Sequence, residues 1–79
     1  MHIYKTIKNF LIDQEYYIDF WQENIHIYGF KKIDALQENR AVFVLENFTL
    51  EILGNDFRVL KLTNKEILLH GNLKEMRVL

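Results

Sequence analysis

The chain has 79 residues, with ten Lys and Arg against eleven Asp and Glu, and neither cysteine nor proline. Its formal net charge is -1 with the signs interspersed, which excludes the basic surface that a general phosphate-backbone binder needs. Without thiols there is no disulfide and no thiolate metal site, and a domain this small buries only about 60 to 65 per cent of its unfolded surface, so docking or oligomerisation is the remaining route to extra stability.

Residues 1–13 follow helical spacing, with Ile3, Ile7, Phe10 and Leu11 on one stripe and Lys5, Lys8 and Asn9 away from it. The spacing predicts a short N-terminal helix whose stripe caps one end or face of a sheet. The segment lacks the uninterrupted apolar core and small-residue cleavage site of a signal peptide. Apolar runs elsewhere are far shorter than the roughly 20 residues that cross a bilayer, so the expectation is a soluble, cytoplasmic chain.

From Tyr16 onward the chain reads as strands rich in β-branched and aromatic residues: 16–21, 24–28, 40–45, 48–53, 57–62, 66–70 and 73–79. Three times an alternating apolar pair runs into a glycine: Ile25, Ile27, Gly29; Leu50, Ile52, Gly54; Ile67, Leu69, Gly71. Glu46-Asn47, Gly54-Asn55-Asp56 and Gly71-Asn72 read as hairpin loops, because Gly and Asn tolerate the positive φ of primed turns. The prediction is a mainly β fold, one domain over residues 1–79, with an antiparallel β-meander over 16–79. Ala41, Phe43 and Leu45 alternate with Val42 and Val44, and Ile67 and Leu69 flank Leu68, so these strands are apolar on both faces. Such a sheet curls, closes into a small barrel or sandwich, or has its second face covered.

Candidate chemistry is sparse. His2, His26 and His70 share no local spacing; a metal site would need them to converge with Asp34 or Glu66, and surface or sheet-edge positions fit them better. The carboxylates form no pair set apart for acid and base roles, and with Ser and Cys absent only Thr6, Thr49 and Thr63 remain as hydroxyl nucleophiles, without a recognisable partner. The single glycines make no phosphate-cradling loop. Tyr16, Tyr17, Phe20, Trp21, Tyr28 and Phe30 invite comparison with a base-stacking platform, but Lys31-Lys32 does not make the basic groove that must accompany one. No catalytic, cofactor-binding or metal residue is assigned. Neither nucleic acid nor a small-molecule substrate is expected.

The order of these short patterns resembles the YabP/YqfC family of sporulation proteins from endospore-forming bacteria. Ile25-His26-Ile27-Tyr28-Gly29-Phe30-Lys31-Lys32-Ile33 resembles the family's apolar strand, glycine and lysine series, and Leu36-Gln37-Glu38-Asn39 the acidic turn after it. Leu50 to Val59 resembles the segment that ends in glycine and restarts, and Glu66 to Leu73 the closing strand; about 55 residues are covered. Members commonly have threonine and glycine where this chain has Leu45-Glu46-Asn47-Phe48. The resemblance implies a non-enzymatic protein of the mother cell, peripheral to the membrane around the forespore and working beside an integral-membrane partner. A self-assembling β-module forming homo-oligomers is the alternative.

Overall fold

In a computed structural model of the chain, which describes residues 16–79, the backbone forms one antiparallel six-stranded sheet. Its strands are β1 (Tyr17–Trp21), β2 (Asn24–Tyr28), β3 (Lys32–Leu36), β4 (Arg40–Val44), β5 (Thr49–Leu62) and β6 (Glu66–Val78). The helix expected over residues 1–13 lies outside the described residues.

The strands lie in the order β1-β2-β6-β5-β4-β3. A pure meander is therefore not what forms: β3 to β6 follow one another, but β6 comes back to pair with β2, and the β1–β2 hairpin joins the sheet there. Gly29, at φ 91°, redirects the chain out of β2; its N–H donates to the Lys65 carbonyl at 2.7 Å, and the Lys31 N–H donates to that of Val44 at 2.6 Å. Phe30 between them is buried against Phe43, with ring centroids 5.7 Å apart.

The second and third glycine units do not turn the chain. Gly54 lies inside the 14-residue β5 and Gly71 inside the 13-residue β6, so the strands expected at 48–53 and 57–62 are one, as are those at 66–70 and 73–79. Asn55 and Asn72, both read as turn residues, face each other across the ladder. Between Asn55–Asn72 and Arg58–His70, β5 sets two residues, Asp56 and Phe57, against Gly71 alone: a bulge, with Asp56 at φ 59°. Residues that permit a tight turn also permit a bulge, which is why the local sequence does not separate the two. Cross-strand donors settle it, since the bulge's Phe57 N–H donates to the Glu38 carbonyl at 2.8 Å and the Gly54 N–H to that of Asn39 at 3.0 Å.

The bulge gives the two glycines their purpose. Phe57 is buried over both: a Cβ on Gly71 would lie 2.6 Å from its ring, and one on Gly54 would lie 2.7 Å from the ring and 2.1 Å from the Asn72 carbonyl oxygen. Beyond this point the pairings divide, β4 holding β5 over Thr49–Leu53 and β2 holding β6 over Glu66–His70. Inward side chains from both parts, Ile25, Ile27, Ile67 and Leu69 with Ala41, Phe43, Leu50 and Ile52, form one cluster, all at 1 % exposure or less. Tyr16 ahead of β1 meets Phe48 ahead of β5, ring centroids 5.4 Å apart, which fastens the two parts together.

Lys32–Leu36 is a strand the sequence reading omits. Lys, Asp and Ala have low strand propensity, and the register slips between Ile33 and Ala35. The Glu46-Asn47 loop is where it was expected, closed by the Leu45 N–H donating to Phe48 O at 2.8 Å.

Candidate functional site

Alternation along β1, β2 and β6 sends Ile18, Ile25, Ile27, Ile67 and Leu69 into the core, so their neighbours Tyr17, Trp21, Asn24, His26, Tyr28, Glu66 and His70 share the outer face. All seven of these outer residues are half-buried. Tyr17 and Tyr28 are paired in register and stacked, centroids 5.2 Å apart with 13° between planes. Tyr17 also meets the His26 ring edge to face at 5.2 Å, and Trp21 meets it at 6.5 Å from the other side. His26 is thus framed by two aromatic rings on its own hairpin.

The imidazole's Nε2 lies 2.8 Å from Glu66 Oε2, across the β2–β6 ladder, and Lys61 Nζ on β5 lies 3.0 Å from Oε1 of the same carboxylate. These two bonds, Lys61's first and His26's second, hold the Glu66 carboxyl below the usual carboxylate range. Asp19, buried at 1 % exposure, stands opposite His26 on β1. One turn of the ladder further, His70 Nδ1 is 2.9 Å from Asn24 Oδ1, and its Nε2 is 3.8 Å from Glu23.

At the end of this face the β1–β2 turn borders an open groove of about 360 Å³, lined among others by Phe20, Trp21, Glu23, Asn24, Asn72 and Leu73. The turn has the positive-φ pair of a primed hairpin, at Gln22 (φ 47°) and Glu23 (φ 66°), with neither glycine nor asparagine in it. Its geometry is fixed from β6, where the Gly71 N–H donates to the Glu23 carbonyl at 2.9 Å.

The sequence candidates are therefore partly brought together. His26 and Glu66 converge on interior strands; of the surface or sheet-edge positions expected for the histidines, His26 takes a half-buried place on the outer face and not the edge. His70 shares their face but engages Asn24, Asp34 lies on β3 at the far side of the sheet, and His2 lies outside the described residues. No group of three or more His, Asp or Glu placed to hold a metal ion occurs among the described residues. Thr63 Oγ1 accepts from the Lys65 and Glu66 N–H groups and so shapes the β5–β6 turn; Thr49 opens β5 beside Val44, and Thr6 is outside the described residues. The aromatics divide, Phe20 and Phe30 packing on the core and Tyr17, Trp21 and Tyr28 lying outward. Lys31 and Lys32 are occupied by Glu46 at 2.9 Å and Asp34 at 3.5 Å.

Sequence reasoning missed the outward aromatic and histidine face as a unit. Its components alternate on strands 17–21 and 24–28, but the third strand, β6, pairs there only through a return that no local signal announces. On the outer side of β4 and β5, Val42 is buried at 4 % exposure and Glu51 at 5 %, the latter held by Arg40 and Arg77. Val44, Leu53 and Leu68 are half-buried, and Leu60 is exposed. No helix among the described residues is long and apolar enough to cross a membrane. Comparison with family models, with curated proteins and with solved structures finds no match to this chain.

Proposed function

We propose that this is a non-enzymatic sporulation protein of the YabP/YqfC type, acting in the mother cell by contact with an integral-membrane protein. The sporulation context is supported by the ordered patterns from Ile25 to Leu73. The mode of action is supported by one observation, the ring-and-histidine face of Tyr17, Trp21, His26, Tyr28 and Glu66. Tyrosine and tryptophan supply large contact areas at little entropic cost and dominate protein-binding hot spots, and a polar imidazole within such a frame fixes orientation. Among the described residues the adjoining groove has Glu23 and three amides at its rim and no cation, so the complementary partner segment is a basic or hydrogen-bond-donating one.

The test is disruption of the gene in a spore-forming host, followed by capture from sporulating cells with the intact chain and with Tyr28→Ala. Loss of spore formation and recovery of a membrane protein that Tyr28→Ala no longer captures are the expected results. Normal sporulation without the gene, or capture without any membrane protein, overturns the reading.

A further inference from the structure

The described part of the chain has one long run of exposed residues, Arg58 to Lys65, which spans the last five residues of β5 and the turn into β6. Three aliphatic side chains stand in it at 42, 54 and 51 % exposure: Val59, Leu60 and Leu62. Their exposure has a cause in the pairing. The β4 ladder covers β5 only over Thr49–Leu53, so beyond the bulge β5 has a strand neighbour on one side, β6. Val59 and Leu62 stand opposite the fully buried Leu69 and Ile67, on the core-facing side but at an open border. Leu60 is the residue left over where the register slips between Val59–Leu69 and Lys61–Leu68.

The same run is basic. Arg58, Lys61 and Lys65 lie within residues 57–65, which contain no Asp or Glu. Lys61 is shared with Glu66, whereas Arg58 and Lys65 make no ion pair among the described residues.

We propose that this β5 edge and turn form a contact site for an anionic lipid surface. Cationic residues interleaved with aliphatic ones match negative headgroups above an acyl boundary. Three alternative occupants fit less well. A second copy would bring the same three cations against these. An added peptide strand would have to follow an edge broken by a bulge and guarded by Lys61, the devices that block strand addition. A folded protein partner is met at its hot spots chiefly by Trp, Tyr and Arg, while leucine and valine are under-represented there and lysine is depleted from interfaces. The site is distinct from the aromatic face used for the protein-partner reading and stands without it; Lys61, and Arg58 opposite His70, border both.

The test is sedimentation of the full chain with vesicles of phosphatidylcholine alone and with about 30 per cent phosphatidylglycerol added. Binding is expected only with the anionic lipid, and weaker as salt rises from ~0.1 M to ~0.5 M. Arg58→Glu with Lys65→Glu lowers the partition coefficient at least ~25-fold, from roughly fivefold per basic residue. Leu60→Asp also lowers it, while Lys31→Glu with Lys32→Glu, the same charge change elsewhere, leaves it unchanged. All these positions are exposed, and circular dichroism checks that each variant is folded. Absence of binding to anionic vesicles overturns the proposal, as does equal binding by the patch variants. A dimer that Leu60→Asp converts to monomer overturns it too, by assigning the edge to a second copy.

Discussion

Phe57 and the two glycines beneath it form the joint on which the fold turns, and their coupling is measurable. Gly71→Ala places a methyl 2.6 Å from the ring and 3.0 Å from the Phe57 Cα, and the expected loss is about 1–3 kcal/mol in urea unfolding. Gly54→Ala costs more, because a backbone carbonyl 2.1 Å away cannot rotate aside as a ring can. Replacing Phe57 by leucine in the Gly71→Ala background should recover part of the loss, whereas strictly additive effects would show that the ring is not what the glycine accommodates. Gln22 and Glu23 are the converse case, two side chains held at positive φ in a turn that favours Asn-Gly. Substituting Asn and Gly for them is expected to raise stability by about 1 kcal/mol, read as a shift in denaturant midpoint without a change in slope.

Strands β4, β5 and β6 are tied on their outer side by Glu51, which is buried between Arg40 Nε at 2.7 Å and Arg77 Nη2 at 2.9 Å; the first contact is an aligned hydrogen bond, the second an ion-pair contact. Arg40 pulls the Glu51 carboxyl below its ordinary 4.5, burial opposes this, and the charge of Arg77 adds to it. Glu66 is lowered as well, by Lys61 and then His26. A carboxyl whose folded-state pKa is depressed contributes stability that is complete above its unfolded value and is lost as pH falls through the folded one. The denaturant midpoint should therefore hold from about pH 6 to pH 5 and decline below about 4.5, with Glu51→Gln showing a shallower decline from a lower start. An acid profile identical in Glu51→Gln would remove the clamp from this account. The elements themselves were largely legible: runs rich in β-branched and aromatic residues located five of the six strands, β5 and β6 each as two pieces, and Glu46-Asn47 was a true hairpin. What escaped the sequence was set by non-local partners. Gly54-Asn55-Asp56 and Gly71-Asn72 have turn chemistry, and only the Glu38 and Asn39 carbonyls from another loop make the first of them a bulge. Lys32–Leu36 has weak propensity and becomes a strand because β4 supplies a ladder. Of the site, His26 and Glu66 are 40 residues apart in sequence, beyond the reach of any spacing argument.

The whole molecule is closed by its last strand: β6 pairs with β5 along its length and brings the β1–β2 hairpin to the sheet, so Ile27 finds Ile67 only after nearly the entire chain exists. The radius of gyration, 11.7 Å, is close to the about 11–12 Å of a compact chain this size. Self-assembly would have to use an open sheet border. Two such borders are β3, where Lys32 and Asp34 are exposed and the register slips at Ile33–Ala35, and the basic, bulged end of β5; β1 and the last residues of β6 also have a strand neighbour on one side only among the described residues. Charge and bulging are the means by which edges resist pairing, and like charges across a junction between two β5 edges add repulsion. Light scattering is therefore expected to give the mass of one chain, 9.6 kDa, at the highest attainable protein concentration in ~0.15 M salt. A stable dimer under those conditions would mean that the edge chemistry has been misjudged, and would make the self-assembling reading the stronger one. If instead the chain is monomeric until anionic vesicles are added and gathers only on them, the β5 edge acts by concentrating a monomer at a surface, which leaves the aromatic face open to the protein partner proposed for it.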